Sequence, residues 1–156
     1  MMGERETVAT TLPAETPAAA PTAPVARAVW KAWGIGFAGW LVPGLGHLAL
    51  KKFDRAAVFF VSITALAAMG LAMHGKVYEF GFDRTQELFA AVLQVFAFIA
   101  DLGTGSLYLA ARWAGVGEGD LSRALGDYGS TYFWCAGLLN VLTALDAYDI
   151  AVGKKD

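Results

Sequence analysis

The chain has 156 residues, of which 56% are hydrophobic and only 17% charged, with a formal net charge of −2. Soluble domains carry about 25% charged residues, so the deficit points away from an ordinary soluble fold. The charge balance offers no basic stripe, and no Gly-rich phosphate loop follows a strand, so nucleic-acid and nucleotide binding are not expected.

Residues 1–25 are rich in Pro, Ala and Thr and lack an apolar core. Such a segment cannot bury enough apolar surface to fold, and it is not a signal peptide. A disordered tail over 1–25 and a helical membrane domain over 26–156 are expected.

Four apolar runs follow. Residues 32–50 carry no charge apart from His47, residues 56–73 carry none, residues 88–111 carry only Asp101, and residues 132–145 carry none. Runs of about 18 or more apolar residues match the thickness of a bilayer when helical. The expected fold is an all-α integral membrane protein with four transmembrane helices at about 29–50, 55–74, 87–112 and 131–152. Trp30, Trp33, Trp113 and Trp134 mark run ends, where indoles favour the headgroup level.

The first run is the weakest helix. Gly34, Gly36, Gly39, Pro43, Gly44 and Gly46 disfavour a straight path. It either spans fully with a kink near Pro43, the preferred reading, or dips in and returns as a re-entrant hairpin. Lys and Arg divide six against five in the first case and seven against four in the second, the latter favouring a cytoplasmic N-terminus. A break at Gly39–Gly46 is expected either way, with the backbone close to another helix.

The stretch PGLGHLALKKFDRA (43–56) resembles the glycine-rich signature of the two-transmembrane-helix domain family and related small bacterial membrane proteins. Pro43, Gly44, Leu45, Gly46, His47 and Leu50 match; Ala49 stands where an aromatic is usual and Lys51 where a glycine is usual. The tail AGLLNVLTALDAYDIAVGKK (136–155) resembles the C-terminus of an uncharacterised bacterial four-helix family with the same N-terminal motif. The resemblance implies a bacterial membrane protein and brings no established activity.

Several residues invite a chemical reading. His47 is a candidate ligand or proton carrier, but one histidine without a nearby second ligand makes a poor metal site, and helix contact is the favoured role for Pro43, Gly44, Gly46 and His47. Asp101 sits mid-run, on a small and polar face with Ala90, Gln94, Ala97, Gly105 and Tyr108. An aspartate at that depth must face the bundle interior and be protonated or hydrogen-bonded. Counting depth pairs the third and fourth runs antiparallel, placing Asp101 by Asn140, Gln94 by Asp146, Tyr108 by Phe133 and Glu87 near Lys154. Asp146 and Asp149 share a helix face near its end, within reach of Lys154 or Lys155. Four alternating spans place His47 near one membrane face and Asp146 and Asp149 near the other, which argues against a Ser-His-Asp site. Asp120 is a candidate N-cap for a short turn carrying Leu121, Ala124 and Leu125. Cys135, the single cysteine, reads as an inert packed thiol.

No catalytic residue, cofactor or metal is expected. The function expected is that of a non-catalytic accessory, assembly or scaffold subunit in a bacterial cytoplasmic membrane, contacting lipids and other membrane subunits or itself. The alternative is a small transporter or ion-conducting homo-oligomer using Asp101 with Asp146 or Asp149.

Overall fold

The structure, a computed structural model, describes residues 23–79, 87–119 and 124–155. The expectations for residues 1–22 and for Asp120 and Leu121 fall outside the described residues. The described residues are helical and contain no strand.

Helix α1 runs Ala23–Leu41, with Pro24 in the first turn, where its missing N–H costs nothing. Helix α2 is the five-residue Leu45–Ala49, α3 is Phe53–Ala72, α4 is Leu88–Gly103, α5 is Ser106–Trp113 and α6 is Ala124–Val152. Two helices are long and apolar enough to cross a membrane, Phe53–Ala72 and Leu125–Val152, with a third if the bent α4–α5 pair is one span. The protein is therefore read as a membrane protein. Four membrane-spanning helices are not confirmed: 29–50, expected to break at Gly39–Gly46, is divided there between α1 and α2, and 87–112, expected as one helix, is divided between α4 and α5.

Helix α6 is the axis, and α1, α3 and α4 pack on it. The contacts are made through small residues. A Cβ placed on Gly36 would lie 3.3 Å from the Tyr148 Cβ, and one on Gly39 would lie 3.6 Å from the Ala144 Cα. One on Gly70 would lie 2.7 Å from the Gly129 carbonyl oxygen. Lipid is as apolar as leucine, so helices in it associate by close backbone approach rather than by apolar burial. The large side chains accordingly point outward, with Val61, Phe96 and Leu142 all exposed. The interior cluster holds Ile63, Ala67, Val77, Tyr108, Ala111, Phe133 and Ala136.

The order of these contacts fixes direction. Along α1, Trp33 stacks near Tyr148 and Trp40 reaches Asn140, so α1 is antiparallel to α6. Helix α3 begins just after His47, which meets Asp146, and ends where Gly70 meets Gly129. It too is antiparallel to α6. Consecutive helices α1 and α3 therefore run the same way, and the chain returns between them through Pro43–Gly44 and α2. The turn is local chemistry: Pro43 has no N–H to extend α1, and Gly44 takes φ +80, with Leu45 N–H donating to the Val42 carbonyl at 3.0 Å. A Cβ on Gly44 would stand 2.5 Å from the Ala56 carbonyl oxygen, so the tip rests directly on α3.

A second reversal enters from the other end. Helices α4 and α5 meet at 103° across Thr104 and Gly105. Gln94 of α4 and Arg112 after the bend both line a cleft with Lys76–Glu79, so the two legs open toward the end where α6 begins. Gly105 takes φ +65 and its Cα abuts the Trp40 and Leu41 carbonyls. The tips of the two hairpins thus touch.

Candidate functional site at the hairpin junction

A helix that stops leaves its last carbonyls without intrahelical donors. Both hairpins stop inside the protein, and Asn140, fully buried near the middle of the α6 span, serves both. Its Nδ2 donates to the Trp40 carbonyl at 2.7 Å and to the Gly103 carbonyl at 2.9 Å. A primary amide carries two N–H groups on one nitrogen, which suits this bridge. Thr143 Oγ1 donates to the Asn140 carbonyl at 2.9 Å, and Thr104 Oγ1 to the Asp101 carbonyl at 2.7 Å.

Asp101 is fully buried, but its carboxylate does not meet Asn140 as the depth count expected. Its Oδ2 accepts from the Tyr78 backbone N–H at 2.6 Å, and the Tyr108 hydroxyl donates to the Tyr78 carbonyl at 3.4 Å. The two side chains pin the irregular segment 75–79, whose Lys76 N–H is held by Ser130 Oγ at 2.8 Å. Asp101 Oδ1 and Asn140 Oδ1 are buried and have no hydrogen-bond partner. The depth count misplaced these side chains because it ran the third run antiparallel to α6, whereas α4 enters from the end where α6 begins, reaches Asn140 at Gly103, and only α5 returns. Gln94 lines the cleft with Tyr78 and Arg112 rather than meeting Asp146. Tyr108 and Phe133 do share the interior cluster, because α5 is the returning leg.

The cleft, about 500 Å³, carries Lys76, Glu79, Arg112 and Glu118; Arg112 pairs with Glu79, and Lys76 sits 5.1 Å from the centre of the Tyr78 ring. Burial, then the nearby carboxylates of Asp101 and Asp127, push the Tyr78 phenol up.

At the opposite end the expected separation of His47 from Asp146 is overturned. His47 is buried, and its Nε2 lies 3.1 Å from Asp146 Oδ2. The reason is the returning α2, which carries His47 back to the end from which α1 started. Lys155 Nζ donates to Asp146 Oδ1 at 2.9 Å, and this carboxylate raises the Lys155 ammonium above its ordinary range. Lys154 lies 3.5 Å from Asp149, so the two aspartates serve different lysines. Cys135 is exposed on α6 rather than packed. Among the described residues no three His, Cys, Asp or Glu side chains are grouped to hold a metal ion.

Tyr78 and the turn at Gly103–Gly105 were absent from the sequence reading, which kept Gly105 on a continuous helix face, whereas Lys155 was expected within reach of Asp146 and is found there. A signal for the tip existed: Gly-Thr-Gly-Ser at 103–106 interrupts an apolar run as Pro-Gly-Leu-Gly does at 43–46.

Fold and junction together define a small helical membrane protein stabilised by internal polar contacts. Residues 34–156 match the model of a family of unknown function, DUF6677, and the chain belongs to that family. No curated protein and no solved structure matches it.

Proposed function

We propose that this protein is a non-catalytic, multi-pass accessory or scaffold subunit of the bacterial cytoplasmic membrane that acts by helix–helix association. The observation that carries the reading is Asn140: the buried amide of α6 is spent on holding two hairpin tips together. Asp101 likewise holds the Tyr78 backbone. The bacterial assignment rests on the resemblance of the 43–56 and 136–155 stretches alone.

The transport reading needs a path from Asp101 to Asp146. Gly137, packed on Ala100, and Asp146 are nine residues apart on α6, about 14 Å at the helical rise. Small residues close that interval: a Cβ on Gly39 would lie 3.3 Å from Gly46, and one on Gly46 would lie 2.7 Å from the Ala147 Cβ. This packing supports a structural interior over a conducting one. An outward face open to a partner helix is the slot of about 290 Å³ between α1 and α6, walled by Trp33, Phe37, Trp40 and Tyr148 over Gly36 and Ala144.

The two hairpins are read as re-entrant from opposite faces, with α3 and α6 as the full spans. Lys31, Lys51, Lys52, Arg55, Lys154 and Lys155 then share one end, which the positive-inside rule makes cytoplasmic.

The test is gentle purification from the native membrane followed by native mass spectrometry. A stoichiometric second subunit or second copy, lost on Phe37→Ala, is the expected result. A solitary protein that supports Asp101-dependent ion flux in proteoliposomes would overturn the reading.

A further inference from the structure

The first hairpin reaches only part of the way along α3, and beside its tip the surface is concave. The groove, about 490 Å³, runs from Phe53 past Ala57 to Phe60 on α3 and is closed on the other side by Pro43, Gly44 and Leu48. It exists because Gly44 sits directly on the Ala56 backbone while α2, only five residues long, ends before it can cover α3. Phe53, Phe60 and Leu48 remain 63%, 47% and 44% exposed. From Phe53 to Phe60 the groove extends about 10 Å along the helix, the reach of the upper part of an acyl chain.

Its mouth is charged. Lys51 and Lys52 immediately precede Phe53, the first groove residue of α3, and put two cations beside it. Lys51 is exposed and held at φ +60 by the tight link between α2 and α3. The α3 N-terminus at Lys52 has no side-chain cap, so its first N–H groups add positive character at the same point.

We infer that this groove retains one anionic phospholipid, with its acyl chain between the Pro43–Gly44 tip and α3 and its phosphate at Lys51 and Lys52. The occupant follows from the combination of an apolar groove along the span and a cationic mouth at its end. A neutral phospholipid fits the groove equally and gains nothing at the mouth. Two lysines near an anionic headgroup correspond to a preference of roughly thirtyfold for the anionic lipid. The inference does not depend on the accessory role, because a transporter would hold the same lipid.

The experiment uses the full-length protein in detergent with equal amounts of phosphatidylglycerol and phosphatidylcholine, read by native mass spectrometry. The expected result is one retained lipid, predominantly phosphatidylglycerol. The double variant Lys51→Ala/Lys52→Ala should remove that preference while lipid of both kinds still binds. Ala57→Trp, at an exposed position inside the groove, should abolish retention of both. Equal retention of the two lipids by the unaltered protein would overturn the proposal, as would a preference unmoved by the lysine substitutions. A dimer that Ala57→Trp converts to monomer would also overturn it, assigning the groove to a second copy. Lys51 is exposed and Lys52 half-exposed, so that arm does not hinge on folding of the tryptophan variant.

Discussion

The Nε2 of His47 lies 3.1 Å from Oδ2 of Asp146, which places the start of α3 at the end of the molecule where α1 entered. That single contact separates a hairpin from a span. A first run that crossed the membrane would carry His47 to the end where α6 begins, roughly 30 Å from Asp146.

Labelling checks this directly. In a Cys135→Ser background, single cysteines at Lys31, Lys51 and Lys154 should react with an impermeant thiol reagent from one side of sealed vesicles. A cysteine at Glu118 should react from the other. Lys31 and Lys51 labelled from opposite sides would restore the four-span arrangement and remove the hairpin.

Replacing Asn140 by leucine leaves the Trp40 and Gly103 carbonyls without their donor away from water. Each buried group left unpaired costs about 1–3 kcal/mol, so a loss of roughly 2–6 kcal/mol is expected in a reversible detergent-unfolding titration. Asn140→Asp should fall between, since a protonated carboxyl donates one hydrogen bond rather than two. A leucine variant within about 0.5 kcal/mol of the parent would show that the junction does not depend on the amide.

Asp101 is expected to act as an acceptor for backbone rather than as a charge. Asp101→Asn keeps an oxygen for the Tyr78 N–H and should retain folding and function. Asp101→Leu removes it, and amide hydrogen exchange at Tyr78 should then rise at least about tenfold, equivalent to roughly 1.4 kcal/mol. Function lost in a folded Asp101→Asn protein would mean that the ionised carboxylate itself is used.

Three glycines separate backbone need from mere smallness. Gly44 and Gly105 both have φ in the left-handed region and abut carbonyl oxygens, so alanine at either should sharply reduce the yield of folded protein. Gly34 lies inside α1 with nothing near its Cα, and Gly34→Ala should be neutral or stabilising by up to about 1 kcal/mol. Thermal melts in detergent distinguish the two groups. Equal tolerance at all three would contradict the close tip contacts.

Much of this was already written in residue types. Charge-free runs marked what belongs in lipid, because an ionised side chain is costly there whatever it packs on. Pro43 and Gly44 marked the turn, since one lacks an N–H and the other tolerates a left-handed backbone. The glycines of the first run marked where its backbone comes close to another helix. The tertiary structure alone decided whether the first run crosses or returns, because both paths bury the same apolar surface in lipid and differ only in what meets its far end. It also decided the partners of Asn140 and Asp101. These are backbone groups of Trp40, Gly103 and Tyr78, and every residue but proline carries both an N–H and a carbonyl, so no residue type singles them out.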